Sequence, residues 1–270
     1  RRARMTQLGG VGPVTWIGLW ELQAGATSLG SDSSLPIVLP AEHAPKLLGA
    51  LHRSGQLIQF EPAAGAPIRL AGGGPVTRPV TMNSDRDDST TTLAAGSLRL
   101  RVHSEPGTER LWLRVWDEEH PLRTTFKLPD AYAPDTAWRL AARFDFFPQP
   151  RVYSVPDVRG GTQGLRSPGE LVFRVRGKEQ RLVAFAEPKD TNFFVVIWDS
   201  TARSTTYQAG RHMRVAFPDS TGWTVLDFNR AYNPSCAFTP YSVCAFAPQE
   251  NHMPFAIAAG EKRLVNAFKP

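Results

Sequence analysis

The chain has 270 residues, 41% hydrophobic and 21% charged, enough for one large or two modest globular domains with a buried core. It holds no run of about 18 apolar residues, which excludes a membrane-spanning helix. The net charge is +6, but the basic residues are scattered through "SLRLRVHS", "RLWLRVW" and "VFRVRGKEQRL", alternating with apolar ones as on the solvent sides of strands, so no nucleic-acid partner is expected. The opening "RRARM" has neither an initiator methionine nor a signal peptide, and the expected compartment is the cytoplasm. Two cysteines, Cys236 and Cys244, are too few to define a disulfide framework.

Helix signals are scarce, because 23 prolines and 22 glycines divide the chain into short alternating runs. Residues 14–22, "VTWIGLWEL", read as a strand or a short helix. "TSLGSDSSLPIVLP" reads as strand, turn, strand; "KLLGALHRSGQLIQFEP" as two strands about the "HRSG" turn; "PIRLAGG" as one more. This predicts a small β-sandwich over residues 1–75. Residues 71–92 are rich in Gly, Ser, Thr and Asp, so 76–92 is expected as a linker or edge strand.

Longer strands follow, giving an antiparallel β-barrel-like domain over 93–270. "GSLRLRVHS" and "ERLWLRVWD" form a hairpin about "EPGT". "RTTFKL", "WRLAARFDFF" and "RVYSVPDV" are further strands. "ELVFRVRG" and "EQRLVAFAE" form a second hairpin. "NFFVVIWDS", apolar throughout, is a central strand, and "HMRVAF" follows it. "PFAIAAGEKRLVNAF" offers a closing strand and a terminal strand or helix. The fold class is therefore mainly β: a small sandwich, then a larger barrel or sandwich with a long C-terminal loop.

Recognisable catalytic patterns are mostly missing. "AGGGP" at 71–75 lacks the lysine and helix of a phosphate loop. The six histidines fall at no metal-binding spacing, and neither a metal nor a cofactor is expected. The polar residues concentrate between Asp199 and Lys262. "WDSTARSTTYQAGR" carries Trp198, Asp199, Tyr207 and Arg211; "WTVLDFNRAYNP" carries Trp223, Asp227, Asn229, Arg230, Tyr232 and Asn233; "PQENHMP" adds Glu250, Asn251 and His252, and "AGEK" adds Glu261 and Lys262. A loop this long and polar must satisfy its groups internally or on a ligand. The cysteines, with seven residues between them, read first as a structural pair, then as metal ligands, then as a nucleophile.

The run "FVVIWDSTARSTTYQAGR…LDFNRAYNPSCAFTPYSVCAFAPQENHMPFAIAAGEK" resembles domain-of-unknown-function family 1684 of bacteria and archaea. The matching positions are Asp199, Tyr207, Gly210, Arg211, Asp227, Phe228, Asn229, Asn233, Pro234, Cys236, Cys244, Asn251, Gly260, Glu261 and Lys262. "TWIGLWELQAGATSLGSDSSLPIVLP" also looks like the family's opening. "CAFAP" replaces its usual Cys-Pro run, and His252-Met253 its Arg-Leu. "LGSDSSLPIVLP" is similar in rhythm to forkhead-associated sandwiches, but Ser31 stands where their phosphate-binding arginine would be, so the shape is expected without phosphothreonine binding. The resemblance implies no activity.

The residues support a small, partly apolar ligand or substrate inside the C-terminal barrel. Trp112, Trp116, Trp198 and Trp223 would line it; Asp199, Arg211, Asn229, Arg230, Asn233 and Asn251 would bind it. On the enzyme reading Asp227 or Glu261 is the general base, Tyr207 or Tyr232 the acid, and Arg211 the anion stabiliser, in a cyclisation, isomerisation or hydrolysis without a cofactor. The alternative is a non-catalytic module whose polar loop satisfies itself. Nothing in the sequence sets the oligomeric state.

Overall fold

A computed structural model describes residues 2–8 and 12–264. The protein is mainly β and divides into two compact units, Arg1–Phe126 and Lys127–Pro270. The terminal element expected beyond residue 264 lies outside the described residues.

The first unit contains helix α1 (Arg2–Leu8) and strands β1 (Trp16–Glu21), β2 (Gly25–Gly30), β3 (Ile37–Val38), β4 (Gly49–Ser54), β5 (Leu57–Pro62), β6 (Ile68–Leu70), β7 (Val80–Thr81), β8 (Thr92–Ala95), β9 (Leu98–Ser104) and β10 (Leu111–Asp117). They form two five-stranded sheets, ordered β1-β10-β9-β8-β6 and β3-β2-β4-β5-β7. Alternation decides which side is buried: Leu98, Leu100 and Val102 of β9 face inward between Arg99, Arg101 and His103. Leu29, Leu51, Ile58 and Phe60 of the other sheet share the same core, so the unit is a sandwich. Three expectations differ from the folded chain. The boundary is not at 75–92, because β8–β10 return to pair with β1 and β6. Trp112 and Trp116 therefore belong to this sandwich, where Arg110 and Arg101 stack on them, and they cannot line the C-terminal barrel. The segment expected as linker or edge carries β7, which pairs with β5 at the sheet edge. "RTTFKL" is no strand: Leu122–Thr125 form the short helix α2.

The second unit contains β11 (Arg139–Pro156), β12 (Thr162–Val175), β13 (Lys178–Ala184), β14 (Asn192–Asp199), β15 (Arg211–Ala216), β16 (Trp223–Asp227) and β17 (His252–Met253). The two runs read as "WRLAARFDFF" and "RVYSVPDV" are one strand, β11, broken by an irregularity between Phe146 and Arg151. Pro148 and Pro150 sit there, where a missing N–H costs no ladder bond. The sheets β13-β12-β11-β16 and β15-β14-β17 curl round one core. Phe144, Phe173, Phe193, Met213 and Phe228 fill that interior, so the expected ligand space inside the strands is taken by side chains. The two sheets meet at β13 and β14, joined by a bridge between Phe185 and Phe194. The chain after β16 covers this body as short 3-10 turns and irregular backbone, with β17 pairing parallel to the end of β14.

Candidate functional site

The sequence places the chemistry among the polar residues of the terminal segment. Asp199 and Arg211 are each 1% exposed and ion-paired, Arg211 Nη2 to Asp199 Oδ1 at 2.8 Å. Gly210, at φ +95°, lets the chain enter β15 this way; a Cβ there would meet the Ile197 carbonyl at 2.6 Å. Arg211 also donates to the carbonyls of Ile257, at 3.1 Å, and Ala259. Asp199 Oδ2 accepts from Ile257 N at 2.8 Å and from the Thr201 hydroxyl at 2.7 Å. With its hydrogen committed to Asp199, Thr201 Oγ1 receives the Thr206 hydroxyl at 2.9 Å. Two of the three guanidinium nitrogens are thus spent on a carboxylate and two backbone carbonyls, which fix the 257–259 segment, while Nε is buried with no hydrogen-bond partner among the described residues.

The other predicted residues have local partners. Asp227 caps the turn at Phe228–Arg230, Oδ1 accepting from Asn229 N at 3.1 Å and Nδ2 at 3.0 Å. Asn229 exchanges hydrogen bonds with the backbone of Asp135, at 2.8 and 2.9 Å. Asn233, fully buried, donates its N–H to Glu261 Oε2 and its amide to the Lys262 carbonyl, both at 2.8 Å. Gly260, at φ +77°, allows this; a Cβ there would meet the Ala231 carbonyl at 2.5 Å. Tyr232 is half-buried and exchanges backbone bonds with His212 at 2.9 Å, while Arg230 is exposed. Asn251 fills the junction of the two sheets: its amide donates to the carbonyls of Val183 and Val196 at 3.0 and 2.9 Å, and its oxygen accepts Val183 N at 2.7 Å.

Tyr207 is fully buried and donates to the Cys236 carbonyl at 3.2 Å. Burial, then the neighbouring Cys236, pushes its hydroxyl well above the ordinary tyrosine range, which removes it as a proton donor at neutral pH. Cys236 and Cys244 are both buried, and no disulfide joins them. Cys244 Sγ accepts from Cys236 N at 3.4 Å and meets the Ser242 hydroxyl at 3.2 Å. Hydrogen bonding to Cys244, reinforced by burial, raises the Cys236 thiol far above its usual range, which disfavours the thiolate that a nucleophile needs. Among the described residues no group of three His, Cys, Asp or Glu side chains is placed to hold a metal ion.

Described residues of the second unit form two cavities that bear on the predicted site, and none of Asp227, Glu261, Tyr207 and Tyr232 lines either. One, about 340 Å³, is a shallow depression on the outer face of β11, β12 and β16 beside Trp223, which is 47% exposed. The other, about 480 Å³, is a groove between the end of β11 and the 246–252 segment. Tyr153, Trp198, Phe246 and His252 supply its rings; Ser154, Gln208, Gln249 and Glu250 supply its polar groups. Trp198 is held in place: its Nε1 donates to the Gln208 carbonyl at 3.1 Å and its ring stacks on His252 at 5.2 Å. Trp198 and Trp223, expected to line one site, thus border different cavities. Of the groove residues the sequence singled out Trp198, with Glu250 and His252 in the polar stretch "PQENHMP". His252 also departs from the family's usual arginine.

No curated protein matches the chain. A solution NMR structure of an uncharacterized protein from gene locus rrnAC0354 of Haloarcula marismortui is similar at 28% identity, covering 53% of this chain and 80% of that one, with a TM-score of 0.45. The model of the family described as "Protein of unknown function (DUF1684)" matches residues 124–262. That span covers the second unit from just before its start to Lys262, and the opening segment around residues 15–40 lies outside it. By this match over half its length, the chain belongs to the DUF1684 family.

Proposed function

We propose that the second unit binds a small, partly apolar molecule in the groove beside Trp198 and His252. The observation that carries this reading is the groove's lining. Four rings and four exposed polar side chains surround about 480 Å³, within the size range of small-molecule sites. The residues come from the ends of β11 and β14 and from the loops at 208–209 and 246–252, the usual placement of binding groups on a rigid β body. Any proton transfer on a bound molecule falls to Tyr153, Glu250 or His252, which line the groove, and not to Asp227 or Tyr207.

A ligand-observed NMR screen of aromatic and aliphatic fragments tests this. Fragments that bind the wild type should lose about tenfold or more in affinity in Trp198→Ala, one lost aromatic contact. The same fragments should bind Trp223→Ala unchanged. No bound fragment, or equal loss in both variants, overturns the reading.

A second reading concerns the terminal segment itself. The buried Asp199–Arg211 pair and the fully bonded Asn251 favour a structural network that fastens the loop to the barrel.

A further inference from the structure

Beyond its side chains, the groove has a backbone wall. Four consecutive residues of β11, Tyr153 to Pro156, line it, so it runs along the strand edge that faces away from β12. The direction of each backbone group follows from the bonds at its end. Phe246 N donates to the Pro156 carbonyl at 2.9 Å, and Val158 N to the Cys244 carbonyl at 3.0 Å. Residues 156 and 158 therefore point outward. By the alternation of an antiparallel ladder, Ser154 and Val152 point outward too. The 244–246 segment pairs with the edge only as far as Pro156, then leaves it. Among the described residues no loop or turn backbone bond reaches Ser154 or Val152. Val152 is 70% exposed, and Ser154 is exposed. The strip ends at Pro150, whose missing N–H closes the edge to further pairing.

We infer that the groove's ligand is an extended peptide segment. It continues the ladder begun by residues 244–246, pairing its backbone with Ser154 and Val152 and setting one apolar side chain among Trp198, Phe246 and Tyr153. This is strand addition to an exposed edge, in which main-chain bonds supply affinity and a pocket for alternate side chains supplies selectivity. The choice of a peptide rests on the alignment of the cavity with outward N–H and C=O groups at strand spacing, which a compact molecule would leave half unused. The inference depends on the groove being a binding site, as proposed above.

The probes are acetyl-Val-Xaa-Val-amide peptides with Xaa apolar or aromatic, each with a backbone N-methylated counterpart, titrated by ligand-observed NMR. Ser154→Pro removes the outward donor, and the edge already carries prolines at 150 and 156. Ser154→Ala keeps the donor. The expected result is binding of the capped peptides, a loss of tenfold or more on N-methylation and in Ser154→Pro, and a change under twofold in Ser154→Ala. If Ser154→Pro fails to fold, the N-methylated series alone decides. Peptides that bind equally well when N-methylated dock by side chains only, which overturns the inference. Non-peptide fragments that bind through Trp198 while every peptide fails also overturn it but leave the groove reading standing; if neither class binds, both fall. A dimer that dissociates in Ser154→Pro, with no peptide bound to either form, would make a second copy the occupant and overturn it as well.

Discussion

At the scale of single residues, the density of Asp, Asn, Arg and Tyr after residue 199 was legible as a network, but its partners were not. Sequence reasoning set Arg211 facing an anion on a ligand; the folded chain gives it the carboxylate of Asp199 and the carbonyls of Ile257 and Ala259. Backbone carbonyls leave no mark in side-chain composition, so a structural guanidinium and a ligand-binding one look alike in a string of letters. Energetics separates them. Removing one member of a buried, hydrogen-bonded ion pair strands the other charge in a low-dielectric interior, at a cost of about 3–5 kcal/mol. Arg211→Met should therefore lower stability to urea by about that amount. Adding Asp199→Asn to it should recover part of the loss, since the stranded charge is then gone. A binding-site arginine would show neither effect, and urea unfolding of the three variants decides.

At the scale of elements, most strands were legible because one-sided burial writes period-two alternation into the sequence, as in "LRLRV" of β9 and "VFRVR" of β12. β11 was split in two because "PQP" carries a strong turn signal, which the long pairing with β12 overrides by bulging. The groove was nearly invisible, since Tyr153, Trp198 and Phe246 stand about 45 residues apart in sequence and meet only after folding. Asn251 shows what joins the elements. β13 and β14 sit in separate sheets, and its amide replaces the ladder bonds missing between Val183 and Val196. Asn251→Ala leaves one N–H and two carbonyls buried without partners, each costing about 1–3 kcal/mol. The variant should lose about 3 kcal/mol or more. Native-state hydrogen exchange should show early opening of β13 and β14 ahead of the β11–β12 hairpin. Uniform protection across all four strands would show that Asn251 does not hold the junction.

At the scale of the whole molecule, the division into two units was legible but its position was not. The Gly- and Asp-rich stretch at 71–92 resembles a linker locally, while the pairing of β10 with β1, nearly a hundred residues apart, keeps the chain in one sandwich to Phe126. Local composition cannot report so distant a closure. The first unit also carries its own acid sensitivity. His103 Nδ1 bonds Asp85 Oδ2 at 2.7 Å, Ser104 N donates to the other oxygen of Asp85, and Arg114 and Arg86 stand close by. Burial, with the two arginines, holds the His103 imidazole below its ordinary range against the pull of Asp85, so the neutral ring donates to the carboxylate. Burial acts the other way on Asp85, but the His103 and Ser104 hydrogen bonds outweigh it and hold that carboxyl below its ordinary range. Both groups bind protons more readily unfolded than folded, so stability from both is present at neutral pH and lost on acidification. The His103 part should begin to fall below about pH 6.5, the unfolded histidine value, and the Asp85 part below about pH 4. Trp16, Trp20, Trp112 and Trp116 lie in this unit, so its urea unfolding can be followed by their fluorescence at pH 7.5, 5.5 and 3.5. The wild type should weaken between pH 7.5 and 5.5, and His103→Gln, which keeps a donor near Asp85 but cannot be protonated, should lose that first step while keeping the fall at lower pH. Equal slopes in the two proteins between pH 7.5 and 5.5 would assign the acid sensitivity to other groups.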